Sequence, residues 1–315
     1  MIDRRSVIRT TVALVTGSAL AGTASSASSQ AETDDIFPYD AGREVGAATT
    51  IGVRVDPGVA NAIPQKDPFH SRLSMLEQRF ESVTLESLGL ARGSLAVEGE
   101  RVVGGGATID GEFQKASFET DIEAASFEYI GRSSPSEPRN YAYYQARRHP
   151  YAIGVDDSTV VLGFGDTSDQ ALSHAKAVNS TTSTKTTDAH NAMARSLGTT
   201  SLATASLGDQ TRSALRNRLP DGATRTQSLL ETATQFGCGI DVDGDRSNLR
   251  YGVEFDPDVM SIETIMDLAS QSADRTSALD LESIERDGWT VIIEASSPTS
   301  AIWEVHEALL GIKFE

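Results

Sequence analysis

Apolar residues along this chain recur in two periods that alternate from one end to the other. Thr50-Ile51-Gly52-Val53-Arg54-Val55 alternates apolar with small or polar positions, the period of a strand. Asp67 and Pro68 then form a helix start, with Phe69, Leu73, Leu76 and Phe80 on one helical face. Leu95-Ala96-Val97 turns at Glu98-Gly99-Glu100 into Arg101-Val102-Val103, a hairpin that continues towards Ile109. Phe118, Ile122 and Ala125 mark the next helix. Phe127 to Ile130 and Tyr141 to Ala146 read as extended segments around a Ser/Pro loop, Ser133 to Pro138. A further hairpin pairs Tyr151–Val155 with Thr159–Phe164, and a helix from Ser168 buries Leu172, Ala175 and Val178.

Much of this order returns in the second half. Strand Leu202–Leu207 precedes a helix with Leu215 and Leu219, and another helix spans Leu229 to Phe236. Cys238–Val242 pairs with Leu249–Phe255. A helix buries Val259, Ile262, Ile265 or Met266, and Ala269. Leu281–Glu285 pairs with Trp289–Glu294 across Asp287-Gly288, a strong hairpin dipeptide. Ser297-Pro298 caps a last helix with Ile302, Val305 and Leu309 inward.

Hairpins interleaved with helices predict an α+β fold: two similar modules of antiparallel β-hairpins with helices packed on one face, and an internal duplication. Repeated βαβ units are not evident, which argues against a dinucleotide site of the Rossmann type. The predicted organisation is an export signal over 1–31, a flexible segment over 32–48, module 1 over 49–178, a Ser/Thr-rich linker over 179–188 and module 2 over 189–315.

Arg4-Arg5 precede an uncharged stretch, Thr10 to Ala24, and a run of Ala and Ser with cleavage positions after Ala27 or Ala31. Basic, apolar and small residues in that order are an export signal, and the adjacent arginines point to the twin-arginine route. The apolar stretch is shorter than the roughly 20 residues that span a bilayer. The reading places the mature protein outside the cytoplasm, with no stable membrane span.

The full chain carries a net charge of −18 with 27 Lys and Arg against 45 Asp and Glu. Residues 1–31 hold three arginines and one acid, so the remainder is two charges more negative. Lysine occurs only at 66, 115, 176, 185 and 313. Acid excess with few lysines suits concentrated salt, where screening removes self-repulsion. The same charge disfavours nucleic acid and anionic membranes as partners.

Two helix starts, Gly165-Asp166-Thr167 and Ser296-Ser297-Pro298-Thr299-Ser300, close the two modules. Together with the twin-arginine signal and the acidity, they make the chain resemble a family of exported haloarchaeal proteins. That family has no established activity, so the resemblance implies an address and carries over no site residue.

Few side chains suggest chemistry. Asp241, Asp243 and Asp245 alternate beside Gly244, a pattern that can converge oxygens on calcium. Arg246 and Gly252 stand where an EF-hand loop needs its Gly and its Glu, and the competing reading is a solvated hairpin turn. Asn179-Ser180-Thr181 is a glycosylation sequon. The single Cys238 reads as a buried thiol. His174 and His306, on the terminal helices of the two modules, read as helix-surface or interface residues. Tyr141, Tyr143, Tyr144 and Tyr151 with Arg147, Arg148 and His149 read as an edge strand or a ligand-facing surface. Gly104-Gly105-Gly106 reads as a bulge or a close-packing site.

No catalytic motif stands out, and no cofactor other than calcium is suggested. The reading is a non-enzymatic binding or structural protein of the envelope or medium, with a protein or glycan partner. The alternatives are a secreted hydrolase whose site is assembled from distant residues, and a calcium-stabilised module.

Overall fold

A computed structural model describes residues 36–310 except 38, 65–73, 75–77, 85–86, 134–138, 179–187, 220–223, 257, 259 and 274–275. The export signal with Arg4 and Arg5, most of the helix expected from Asp67, and the linker with Asn179 lie outside the described residues.

The fold is α+β, built on one antiparallel sheet of twelve strands. The first half contributes α1 (Ala41–Val45), β1 (Thr49–Val55), α2 (Pro57–Ala62), β2 (Leu88–Glu98), β3 (Arg101–Gly111) and α3 (Lys115–Ala124). It continues with β4 (Phe127–Arg132), β5 (Ala142–Ala146), β6 (Tyr151–Val155), β7 (Thr159–Gly165) and α4 (Ser168–Ala177). The second half contributes α5 (Asp188–Leu197), β8 (Ser201–Ser206), α6 (Asp209–Arg216), α7 (Thr224–Thr232), β9 (Ala233–Asp243) and β10 (Arg246–Phe255). It ends with α8 (Ile262–Ala273), β11 (Asp280–Asp287), β12 (Thr290–Pro298), a 3₁₀ turn (Thr299–Ala301) and α9 (Ile302–Leu310).

The strand order is β11-β12-β10-β9-β8-β1-β2-β3-β7-β6-β5-β4. The halves meet where β1 pairs antiparallel with β8, Gly52 opposite Thr204. Reading outward from that pair, each half adds a hairpin, then a second hairpin placed with its later strand inside. The β4–β5 hairpin at one edge has no partner in the second half.

Helices cover both faces of this sheet, where the alternation suggested one. The reason lies in the small residues. On the face of Gly104, Gly106, Gly163, Gly237 and Gly239, a Cβ would strike α4, α5, the residues just after them or the N-terminal segment directly. At Gly163 it would overlap the carbonyl oxygen of Ala171 and the backbone nitrogen of Ala175 in α4. At Gly237 it would meet Met193 and Leu197 of α5. Positions that look polar-compatible are therefore seats for α4 and α5. The opposite face carries the larger apolar side chains and packs α2, α3, α8 and α9.

The cores also cross the halves. Val59 and Ile63, on and just after α2, pack with Ile240, Leu249, Ile302 and Val305 of the second half. Trp303 of α9 donates its indole N–H to the Pro64 carbonyl.

Three further expectations are corrected. The described part of 32–48 is structured: Phe37, Tyr39 and Ala41 are fully buried. Phe37 lies over Gly52, and Asp40 caps α1 while accepting from the Thr50 hydroxyl at 2.9 Å. Second, α7 ends at Thr232 and Ala233 to Phe236 are strand; Ala233 pairs with β10, and Gln235 and Phe236 pair with both β8 and β10. Gln235 and Phe236 satisfy two ladders at once, which outweighs their ambiguous local pattern. Third, His174 and His306 are buried, at 0% and 1% exposure.

Candidate functional site

Between the second half of the sheet and its helices lies a cavity of about 310 Å³. Its floor comes from β8 (Ala203, Ala205), β9 (Phe236, Cys238), β10 (Tyr251, Val253) and β12 (Ile293, Ala295). Antiparallel pairing brings these residues onto one face, with Cys238 opposite both Tyr251 and Ala203, and Tyr251 opposite Ile293. Its roof comes from α7 (Leu229) and α8 (Ile265, Leu268, Ala269). His306 of α9 closes one end.

Small residues on the floor make the space. Ala203, Ala205 and Ala295 sit where a Leu or Phe would fill the gap between sheet and α8. The helix keeps its distance because larger residues prop it: Ile265 and Met260 pack with Phe255, Val291 and Ala233.

Among the described residues, three lining side chains have polar atoms: Cys238, Tyr251 and His306. The Tyr251 hydroxyl lies 3.3 Å from His306 Nε2. His306 Nδ1 lies 2.9 Å from the Ile302 carbonyl oxygen, one turn back along α9. Burial pushes the imidazole down to about 4, against a lesser opposing pull from that carbonyl. Burial pushes the Cys238 thiol up to about 12 and raises the Tyr251 phenol well above its ordinary value, with Cys238 adding to the latter. All three are neutral at pH 7, and none of the described lining residues is Asp, Glu, Lys or Arg.

Nucleophilic catalysis by Cys238 would need a thiolate and a nearby free base. The thiol is held protonated, and both His306 nitrogens are engaged.

Sequence reasoning had marked Cys238 as a buried thiol, and the structure places it half-buried in the cavity wall. It had passed over Tyr251, because one Tyr in an alternating strand carries no motif.

The other singled-out residues lie elsewhere. Asp241 and Asp243 are at the end of β9, and Gly244-Asp245 form a two-residue hairpin turn with Gly244 at φ 58°. Asp241 accepts from both the backbone N–H and the hydroxyl of Thr200 at 2.8 Å. Among the described residues no three His, Cys, Asp or Glu side chains gather where they could hold a metal, so the three aspartates are not brought together.

Tyr141, Tyr143 and Tyr144 are core residues, at 1%, 1% and 4% exposure; β5 is covered by β4 and is not an edge. Of the four tyrosines Tyr151 is exposed, as are Arg147, Arg148 and His149. Gly104 and Gly106 are close-packing positions, under His174 and Val178. His174 is buried beside the Tyr39 hydroxyl, Nδ1 at 3.2 Å, and burial lowers its pKa.

No family model matches this chain, and no curated protein matches it. Among solved structures, it is similar to crystal form I of TP0453 at 11% identity and a TM-score of 0.45, over 89% of this chain and 99% of that one. Crystal form IV of TP0453 gives 13% identity and 0.45, over 88% and 97%. Likeness at this level carries no function across.

Proposed function

We propose that this chain is a binding protein for an apolar small molecule, held between the sheet and α8. The cavity carries the reading. Ligand pockets begin at about this size and are lined in this way, largely by apolar side chains with a few polar groups.

The test is titration with an apolar fluorescent probe, N-phenyl-1-naphthylamine. Saturable binding is expected in the natural chain. Ala269→Phe, which fills the space from α8, should abolish it while leaving the protein folded. Binding unchanged in the filled variant would remove the cavity as the site.

The leader pattern around Arg4 and Arg5 supports a role outside the cytoplasm. Replacing both arginines by lysine should trap the protein inside the cell; normal secretion of that variant would mean another route.

A further inference from the structure

We propose that the cavity selects an uncharged, largely aliphatic molecule of about a dozen heavy atoms bearing one hydroxyl, which donates to the Tyr251 oxygen, and that it discriminates against the matching carboxylate. This rests on the ligand-binding reading above and goes further, because the hydrogen-bond directions inside the cavity can be worked out.

The Ile302 carbonyl only accepts, so His306 Nδ1, 2.9 Å away, carries the ring proton. A neutral imidazole has one proton, so Nε2 is an acceptor. The donor facing it is the Tyr251 hydroxyl at 3.3 Å. That hydroxyl therefore spends its single proton on His306. Its remaining lone pairs are left as the best acceptor in the cavity wall. The Cys238 thiol, opposite Tyr251 on the ladder, adds only a weak donor.

A ligand group that donates is therefore matched, and one that only accepts is not. An ionised group fares worse. No cation lines the space among the described residues, and burying an unpaired carboxylate is costly enough that it protonates instead. An aliphatic carboxyl with a pKa near that of Glu, about 4.3, is neutral in roughly one molecule per thousand at pH 7.3. Its binding is weakened by up to that factor.

Size follows from volume. An apolar cavity of about 150 Å³ holds benzene, so twice that volume holds roughly twice as many carbon atoms.

The experiment is displacement of N-phenyl-1-naphthylamine from the full chain at pH 7.3 by 1-decanol, methyl nonyl ether and decanoate. Decanol is expected to bind about 5-fold to 10-fold more tightly than the ether, the worth of one hydrogen bond. Decanoate should be at least 100-fold weaker than decanol. In Tyr251→Phe combined with His306→Leu, which removes both the hydroxyl and the Nε2 acceptor it would otherwise leave free, decanol should fall to the affinity of the ether while the ether itself still binds, which also shows that the cavity survives. Decanoate binding as well as decanol would overturn the proposal, as would a decanol preference that persists when both Tyr251 and His306 are replaced. If neither the probe nor any of the three compounds binds, the ligand-binding reading itself fails, a separate result.

Discussion

Acid should unfold this protein partly through one side chain. His306 is 1% exposed, and its folded pKa is about 4 against 6.5 for the free side chain. Between those values the unfolded chain binds the proton and the folded chain does not, so stability rises with pH across that window. Stability is full above pH 6.5 and is lost as pH falls towards 4. The shift of about 2.5 units, at about 1.36 kcal/mol each, makes the loss about 3 kcal/mol by pH 4. His174 and His190 are lowered by burial too and act in the same direction. To isolate His306, we would compare the natural chain with His306→Gln, which retains polar atoms but does not titrate. Urea unfolding followed by the fluorescence of Trp289 and Trp303 gives the free energy at each pH. The variant should be less stable at pH 7.5, and the gap should narrow by about 3 kcal/mol at pH 4. A gap that stays constant would refute the buried, neutral imidazole.

Ala269→Leu should stabilise the protein, because three added carbons enter a space already present; at about 0.8 kcal/mol each, less side-chain entropy, the gain is about 1–2 kcal/mol by urea unfolding. Gly163→Ala should cost about 3 kcal/mol or more in the same assay, since the new methyl meets the backbone of α4 and no flexible side chain can yield. Asp241→Ala should cost about 1 kcal/mol through the two lost hydrogen bonds from Thr200. Calcium should leave the melting midpoint of the natural chain unchanged; a rise that disappears in Asp243→Ala would instead establish a cation site at Asp241–Asp245.

The strand pattern was largely legible. Alternation located β1 within a residue, and Asp287-Gly288 placed the β11–β12 turn to within a residue, because both are local properties of the chain. The two-faced packing was not legible. Gly104, Gly163 and Gly237 have the same polarity whether they face water or a helix, and only the helix that covers them decides. The same holds for His174 and His306, whose helices look amphipathic enough to put a His outside. Joining of the halves through β1 and β8 is a long-range pairing that no local period reports. The cavity is legible only as a deficit: Ala203, Ala205 and Ala295 look like ordinary small strand residues until the position of α8 shows what is missing.

The most direct test of the central claim is a crystal structure under xenon pressure, since xenon enters dry apolar cavities whatever their natural ligand. Xenon should be found between α8 and the floor formed by Ala203, Cys238 and Tyr251. A collapsed space there, or one filled with hydrogen-bonded water, would contradict an apolar binding cavity.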